Sequence, residues 1–212
     1  LFAAWEHAGG LTDEIVWTRL LNVFDAGEQG LLQYVAKKSS AALRPWADKL
    51  LALYAQPQNV VTVSLDPRSP YSADIAGRAL AHLANSNPQQ ALQDWLTLQR
   101  QLHFDAGQTR YVEHAIALQN LFARDAAHSE WLHGALARVQ DDKLVGIRLR
   151  WALREQDWAA LERTMPLLSE SARNENVWRY WQAILQERGK DAGAAHAALA
   201  QVVHHGFDEP FV

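Results

Sequence analysis

The sequence predicts an all-α protein, an α-solenoid or superhelix of about six stacked helical hairpins, tetratricopeptide-like in period. Three observations predict it. Apolar residues recur at three- and four-residue steps nearly throughout, helix breaks return about every 30–37 residues, and only one run resembles a strand. Ile15, Leu20, Val23 and Phe24 form the first apolar row; Leu43, Trp46, Leu50, Leu51 and Tyr54 form another. Such rows stack apolar side chains on one helix face, while Ala, Arg, Gln and Glu, good helix formers, fill the rest. The strand-like run, Val60 to Leu65, lies between Pro57-Gln58-Asn59 and Asp66-Pro67 and has no second run to pair with. A lone strand is not viable, so a short helix or an extended connector is expected there.

The breaks fall near Gly27, Gln58, Pro88, Asp125, Asp157 and Lys190, about 31, 30, 37, 32 and 33 residues apart, the spacing of helical hairpins. Asn87 is placed to cap a helix starting at Pro88, where proline's missing N–H is no loss. Gly189 is expected to end a helix in the left-handed region, and Gly9-Gly10 to separate two helices. Two helices of about 10–15 residues fit between successive breaks, and neither buries its apolar face alone. The strict tetratricopeptide signature does not recur in register. A compact, non-repeating helical bundle is the competing architecture, but the regular breaks favour one continuous array, a single superhelical domain over residues 1–212.

Composition narrows the function classes. With 49% hydrophobic and 21% charged residues the chain is globular and not disordered. A net charge of −4 supplies no basic footprint for nucleic acid. Without cysteine there is no disulfide framework, thiolate metal site or cysteine nucleophile. No apolar run approaches the roughly 18 residues of a membrane span; the longest candidate, Gly193 to Val203, is broken by His196 and Gln201. The chain opens inside an apolar helical pattern, Leu1-Phe2-Ala3-Ala4-Trp5, and stops at Glu209-Pro210-Phe211-Val212. Both ends read as cuts through a longer polypeptide. Solenoids cut mid-array expose an apolar face, so self-association through the Leu1 or Val212 end is expected.

The last sixty-odd residues carry a resemblance. In order they read Arg150-Trp151-Ala152-Leu153, Asp157-Trp158-Ala159-Ala160-Leu161, Met165-Pro166-Leu167, Trp178-Arg179-Tyr180-Trp181-Gln182-Ala183, Glu187-Arg188-Gly189 and His205-Gly206-Phe207. This series resembles the end of the superhelical N-terminal domain of soluble lytic murein transglycosylases, periplasmic enzymes that cleave peptidoglycan glycan strands. Ala26-Gly27-Glu28-Gln29-Gly30-Leu31 and Gln56-Pro57-Gln58-Asn59-Val60-Val61 resemble an earlier part of the same domain. Residues of about 65 to 145 match only in helical character. The resemblance implies a periplasmic scaffold, without cofactor, followed by a linker domain and a catalytic domain. Its implied partners are those two domains and, weakly or indirectly, peptidoglycan glycan strands.

The family's catalytic acid is the Glu of a Glu-Ser pair with an aromatic residue close behind, followed later by Gly-Leu-Met-Gln and Tyr-Asn-x-Gly segments. Ser169-Glu170-Ser171-Ala172-Arg173 contains the pair without the aromatic context, and neither later segment exists here. Ser169 or Ser171 is better used to cap the helix that carries Trp178. Trp178 and Trp181 are three apart, and Trp181, Ile184 and Leu185 continue the same face. This is the spacing of packing between hairpins, while a sugar-stacking platform is the sharper alternative. His114, His128, His133, His204 and His205 lack the His-Glu-x-x-His spacing of a helical zinc site, so surface or capping roles are expected. Gly-x-Ser-x-Gly and phosphate-loop motifs are absent. Arg148, Arg150 and Arg154, with Trp151 among them, read as a solvated face or as a surface for an acidic partner.

No catalytic, cofactor-binding or metal-ligating residue is therefore assigned. Two functions remain open: the non-catalytic scaffold of a lytic transglycosylase, and a free-standing helical-repeat adaptor holding a peptide or protein in its groove.

Overall fold

The structure, a computed structural model, describes residues 12–189. All regular secondary structure among the described residues is helical, eleven α-helices and three 3₁₀ turns. The chain groups into two compact units, residues 1–120 and 121–212, and the boundary lies inside one helix.

The first unit holds α1 (Asp13–Asp25), α2 (Gln29–Ala36), α3 (Arg44–Ala55), α4 (Ser72–Ala84), α5 (Pro88–Leu98) and most of α6 (Ala106–Ala123). Each of α1 to α5 packs against its chain neighbour, the local pattern of a helical-repeat array, and α1 also touches α3 and α4. Starts and stops follow cap chemistry. Thr12 accepts the Ile15 N–H and Asn87 accepts the Gln90 N–H at 3.0 Å, with Pro88 opening α5 as the sequence implies. Gly27 has φ +75°, a backbone conformation that turns the chain between α1 and α2 at little steric cost to glycine. Residues 60–65 form a hydrogen-bonded turn and bend that run into an irregular connector, with Val60 fully buried.

Helix α4 is the centre of this unit. Ala73, Ile75, Ala76, Ala79, Leu80, Leu83 and Ala84 are all buried. Its alanines keep the helix slim, and at Gly77 the approach to α6 is so close that an added Cβ would meet Val112 at 3.2 Å. Two expected rows shift. Ile15 is 38% exposed, and α1 instead buries Val16, Trp17, Leu20, Leu21, Val23 and Phe24. In α3 the core row is Leu43, Ala47, Leu50 and Leu53, which leaves Trp46, Leu51 and Tyr54 at its margin. The two aromatic residues, Trp46 and Tyr54, thus sit beside the core row, where their size covers its edge.

The second unit holds α7 (Ser129–Val139), α8 (Asp142–Glu155), α9 (Trp158–Thr164), α10 (Glu170–Arg173) and α11 (Asn176–Arg188). Its punctuation repeats one device. Arg124, Gln140 and Gln156 adopt φ of 51°, 54° and 55°, and each is followed by a capping aspartate. Asp125 accepts the Ala127 N–H, Asp141 those of Lys143 and Leu144, and Asp157 that of Ala160. Helices α8 and α9 pack on one another, and Trp178 of α11 lies buried on α8, its ring near Gly146 and beneath the Arg150 guanidinium at 5.2 Å.

Three further expectations are corrected. Gly189 ends α11 with φ −74°, outside the left-handed region, because its N–H still reaches the Leu185 carbonyl in helical fashion. Ser169 caps α10 and not the helix of Trp178, which starts from Glu175 without a side-chain cap. Ser169 also gives its N–H and Oγ–H to Asp142 at 2.7 and 2.6 Å, which pins the start of α10 to α8. Arg148 is no part of a solvated face; it is half-buried with its guanidinium 4.4 Å from the Trp151 ring centre. The Leu1 start, Gly9-Gly10, the Lys190 break, Gly193–Val203, His204-His205, Gly206-Phe207 and the Val212 end lie outside the described residues.

Candidate functional site

Each unit has a polar cleft. One cleft of the first unit, about 280 Å³, lies between α1, α4 and α6, and a more open one of about 430 Å³ lies between residues 67–73 and 103–108. The charges of the former are spent on one another. The Tyr111 hydroxyl donates to Asp25 at 2.8 Å, and Arg78 reaches the same carboxylate at 3.3 Å. Below it Asp74 accepts the Trp17 indole N–H at 2.9 Å and the Gln108 amide at 2.8 Å, with Arg78 3.8 Å away. Burial pushes the Tyr111 phenol well above its usual range, as do its hydrogen bond to Asp25 and that carboxylate's charge, while Arg78 pulls the other way. At the rim Tyr54 stacks on His82 at 5.2 Å, and Gln119 donates to Asn85 at 2.9 Å. This network, in which the buried Arg78 Nε alone of that side chain's nitrogens is left unpaired, fastens three helices together.

The second unit's cleft, about 250 Å³, is walled by Glu130 and His133 of α7, Arg148 of α8, and Asp157, Arg163 and Thr164 at and within α9. Arg163 grips Glu130 through both guanidinium N–H groups, one of them at 2.6 Å. That fork is the usual bidentate match of arginine to carboxylate. It lowers the Glu130 carboxyl and raises the Arg163 guanidinium from their ordinary values. Arg148 is unlike the others: it makes no hydrogen bond or ion pair with any described residue. Burial lowers its guanidinium from the ordinary value, against the attraction of Asp157. Asp157 meanwhile uses an oxygen on the Ala160 N–H. Burial also lowers the His133 imidazole, with Arg163 and Arg148 adding to the effect and Glu130 opposing it.

The residues singled out in the sequence scatter around these clefts. Glu170 is exposed on α10 and lines none of them. Among the described residues no three His, Asp or Glu side chains gather as metal ligands; His128 bonds to Asp125 at 3.0 Å. Trp178 is packing, only 3% exposed, whereas Trp181 leans on Trp158 at 6.4 Å, and Arg188 covers Trp158 at 4.2 Å. The cluster Glu130, His133, Arg148 and Arg163 was not assembled from the sequence. A signal for part of it existed: Glu130 and Arg163 are 33 residues apart, one hairpin period, which sets them opposite each other. No helix among the described residues is long and apolar enough to cross a membrane.

No protein-family model matches the chain. Curated relatives do. A soluble lytic murein transglycosylase of Salmonella typhimurium is 28% identical over 212 aligned residues, 98% of this chain and 33% of that protein. One of Escherichia coli K12 is 26% identical over the same shares. Among solved structures, a 70-kDa soluble lytic transglycosylase in complex with bulgecin A superposes with a TM-score of 0.79 at 22% identity, covering 94% of this chain and 33% of that one. The lytic transglycosylase Slt of Pseudomonas aeruginosa, solved as an inactive mutant, gives the same TM-score, identity and coverage. The chain spans about one third of the length of the curated relatives it matches. By sequence and by helical fold, it is homologous to that third of the soluble lytic murein transglycosylases.

Proposed function

We propose that the chain is the non-catalytic helical scaffold of a lytic transglycosylase acting on peptidoglycan in the periplasm. In the whole protein it docks on linker and catalytic domains and helps position glycan strands, as one superhelical domain. The observation that carries this reading is the 28% identity running through 98% of the chain. The nature of the clefts supports it: the carboxylates in them are tied up in arginine pairs, tyrosine bonds and helix caps. A transglycosylase needs a carboxylic acid of raised pKa beside the glycosidic oxygen, whereas the Glu130 carboxyl, held by Arg163, is lowered.

Muropeptide release from purified murein tests the reading. The chain alone should release none, and joining it to the segment encoded downstream in its gene should restore turnover. A Glu-Ser-x-aromatic block in that segment is the expected sequence. Turnover by the chain alone, abolished by Glu170→Gln, overturns the reading; a stop codon after Val212 favours the adaptor.

A further inference from the structure

The geometry points to the second unit's cleft as a carboxylate-binding site, in which Arg148, Arg163 and His133 receive a ligand carboxylate and Glu130 is the internal competitor for the same seat. Arg148 is the residue that sets this cleft apart. A half-buried guanidinium has lost part of its hydration, and hydrogen-bonded anionic partners normally make up for that loss. Here one face is stacked on Trp151, which fixes the plane of the fork, and no described residue bonds to its N–H edges. Arg148 belongs to the wall of a cleft of about 250 Å³ that also holds His133 and Arg163.

The cleft already holds a carboxylate of its own. The Glu130 carboxylate sits bidentate on Arg163, so the cleft displays the acceptor chemistry that it takes. This tie is weakly held. Glu130 is 77% exposed along its side chain and Arg163 49%, and such surface pairs are readily exchanged with solvent ions. A ligand carboxylate displaces Glu130 from Arg163 and gains Arg148 and the His133 N–H together. An amide or a sugar hydroxyl gains none of the charge assistance.

Carboxylates reach such a site from two sources, free small acids and the stem peptides of murein. Naming the stem peptide rests on the function proposed above; the site itself does not. Calorimetric titration of the chain with three probes separates the cases: a stem tetrapeptide with free carboxylates, the same peptide fully amidated, and acetate. The free tetrapeptide is expected to bind and its amidated form not to. Arg148→Gln should weaken binding about tenfold or more, and Arg148→Lys less, since charge remains without the fork. Glu130→Gln should tighten binding by about threefold or more, because the competitor loses its charge. The His133 imidazole, followed by NMR, should titrate at higher pH once the ligand is bound.

A merely structural cleft gives none of these opposite-signed changes. Equal binding of the amidated peptide, a Glu130→Gln variant no tighter than the parent, or failure of every carboxylate to bind overturns the site. Acetate binding as tightly as the tetrapeptide keeps the site but removes the stem peptide, leaving the function proposed above to its own assay. Each variant's circular dichroism, matched to the parent, ties a loss to the cleft and not to unfolding.

Discussion

The two clefts are built by the same means, helix pairs facing each other across a groove, yet they treat charge in opposite ways. In the first unit Arg78 is shared by Asp25 and Asp74, and both carboxylates collect further donors from Tyr111, Trp17 and Gln108. In the second, Arg163 has one exposed partner and Arg148 has none. Charges paired with one another rigidify the elements they join, even with the Arg78 Nε left unbonded, whereas an unpaired charge facing a cleft is open to a partner from outside. The first cleft is therefore a fastening and the second a receptacle, although their volumes are alike.

Mutations separate the two roles by size of effect. The largest expected loss lies in packing: Trp178→Ala, which empties the contact between α11 and α8, should cost about 3–5 kcal/mol in thermal unfolding. A smaller loss for that variant would mean that α11 is only loosely attached. Asp74→Ala comes next, at about 2 kcal/mol, because it strands the buried Trp17 N–H and unbalances Arg78. Asp74→Asn, which keeps an acceptor, should recover part of it.

The third prediction uses pH. Asp94 is 7% exposed with Oδ2 unpaired, and burial raises its carboxyl from the ordinary value, against a hydrogen bond from Gln90. The proton is therefore favoured in the folded state. Its contribution to stability is full below the unfolded value of 3.8 and is lost as pH rises through the raised folded value. Asp94→Asn should then stabilise the chain by about 1 kcal/mol near neutrality and by nothing near pH 3. His133, whose imidazole is lowered, runs the other way: its contribution is present above 6.5 and is lost as pH falls through the folded value. Melting curves across pH with His133→Gln should show the acid-side loss reduced.

The smallest effect sharpens the comparison most. Arg148→Gln should change stability by no more than about 1 kcal/mol, because the relief of desolvation offsets the lost stack on Trp151 and no hydrogen bond is broken. A loss as large as that of Asp74→Ala would make the second cleft a fastening too.

The fold was largely legible because its signals are local. Periodicity gave helices, and Gly27, Asn87, Asp125 and Asp157 marked ends through their own caps and turns. The Gln140-Asp141 break inside a hairpin escaped notice because glutamine is not a usual left-handed residue, although the aspartate after it repeats the pattern at Arg124 and Gln156. Row assignments slipped where two apolar residues adjoin: Ile15 and Val16 have similar hydropathy, and the neighbouring helix decides which one is covered. The second cleft was illegible for the same reason. Arg148 looked like its solvated neighbours Arg150 and Arg154, and only the packing of α7 and α9 distinguishes it.

The left-handed glutamines have a practical consequence. Gln140 and Gln156 hold a backbone shape that disfavours any side chain by roughly 1 kcal/mol or more, while glycine adopts it freely. Neither residue lines a cleft. Exchanging both for glycine is thus a route to a hardier protein whose ligand chemistry is left as it was, a sturdier starting material for every titration that the second cleft invites.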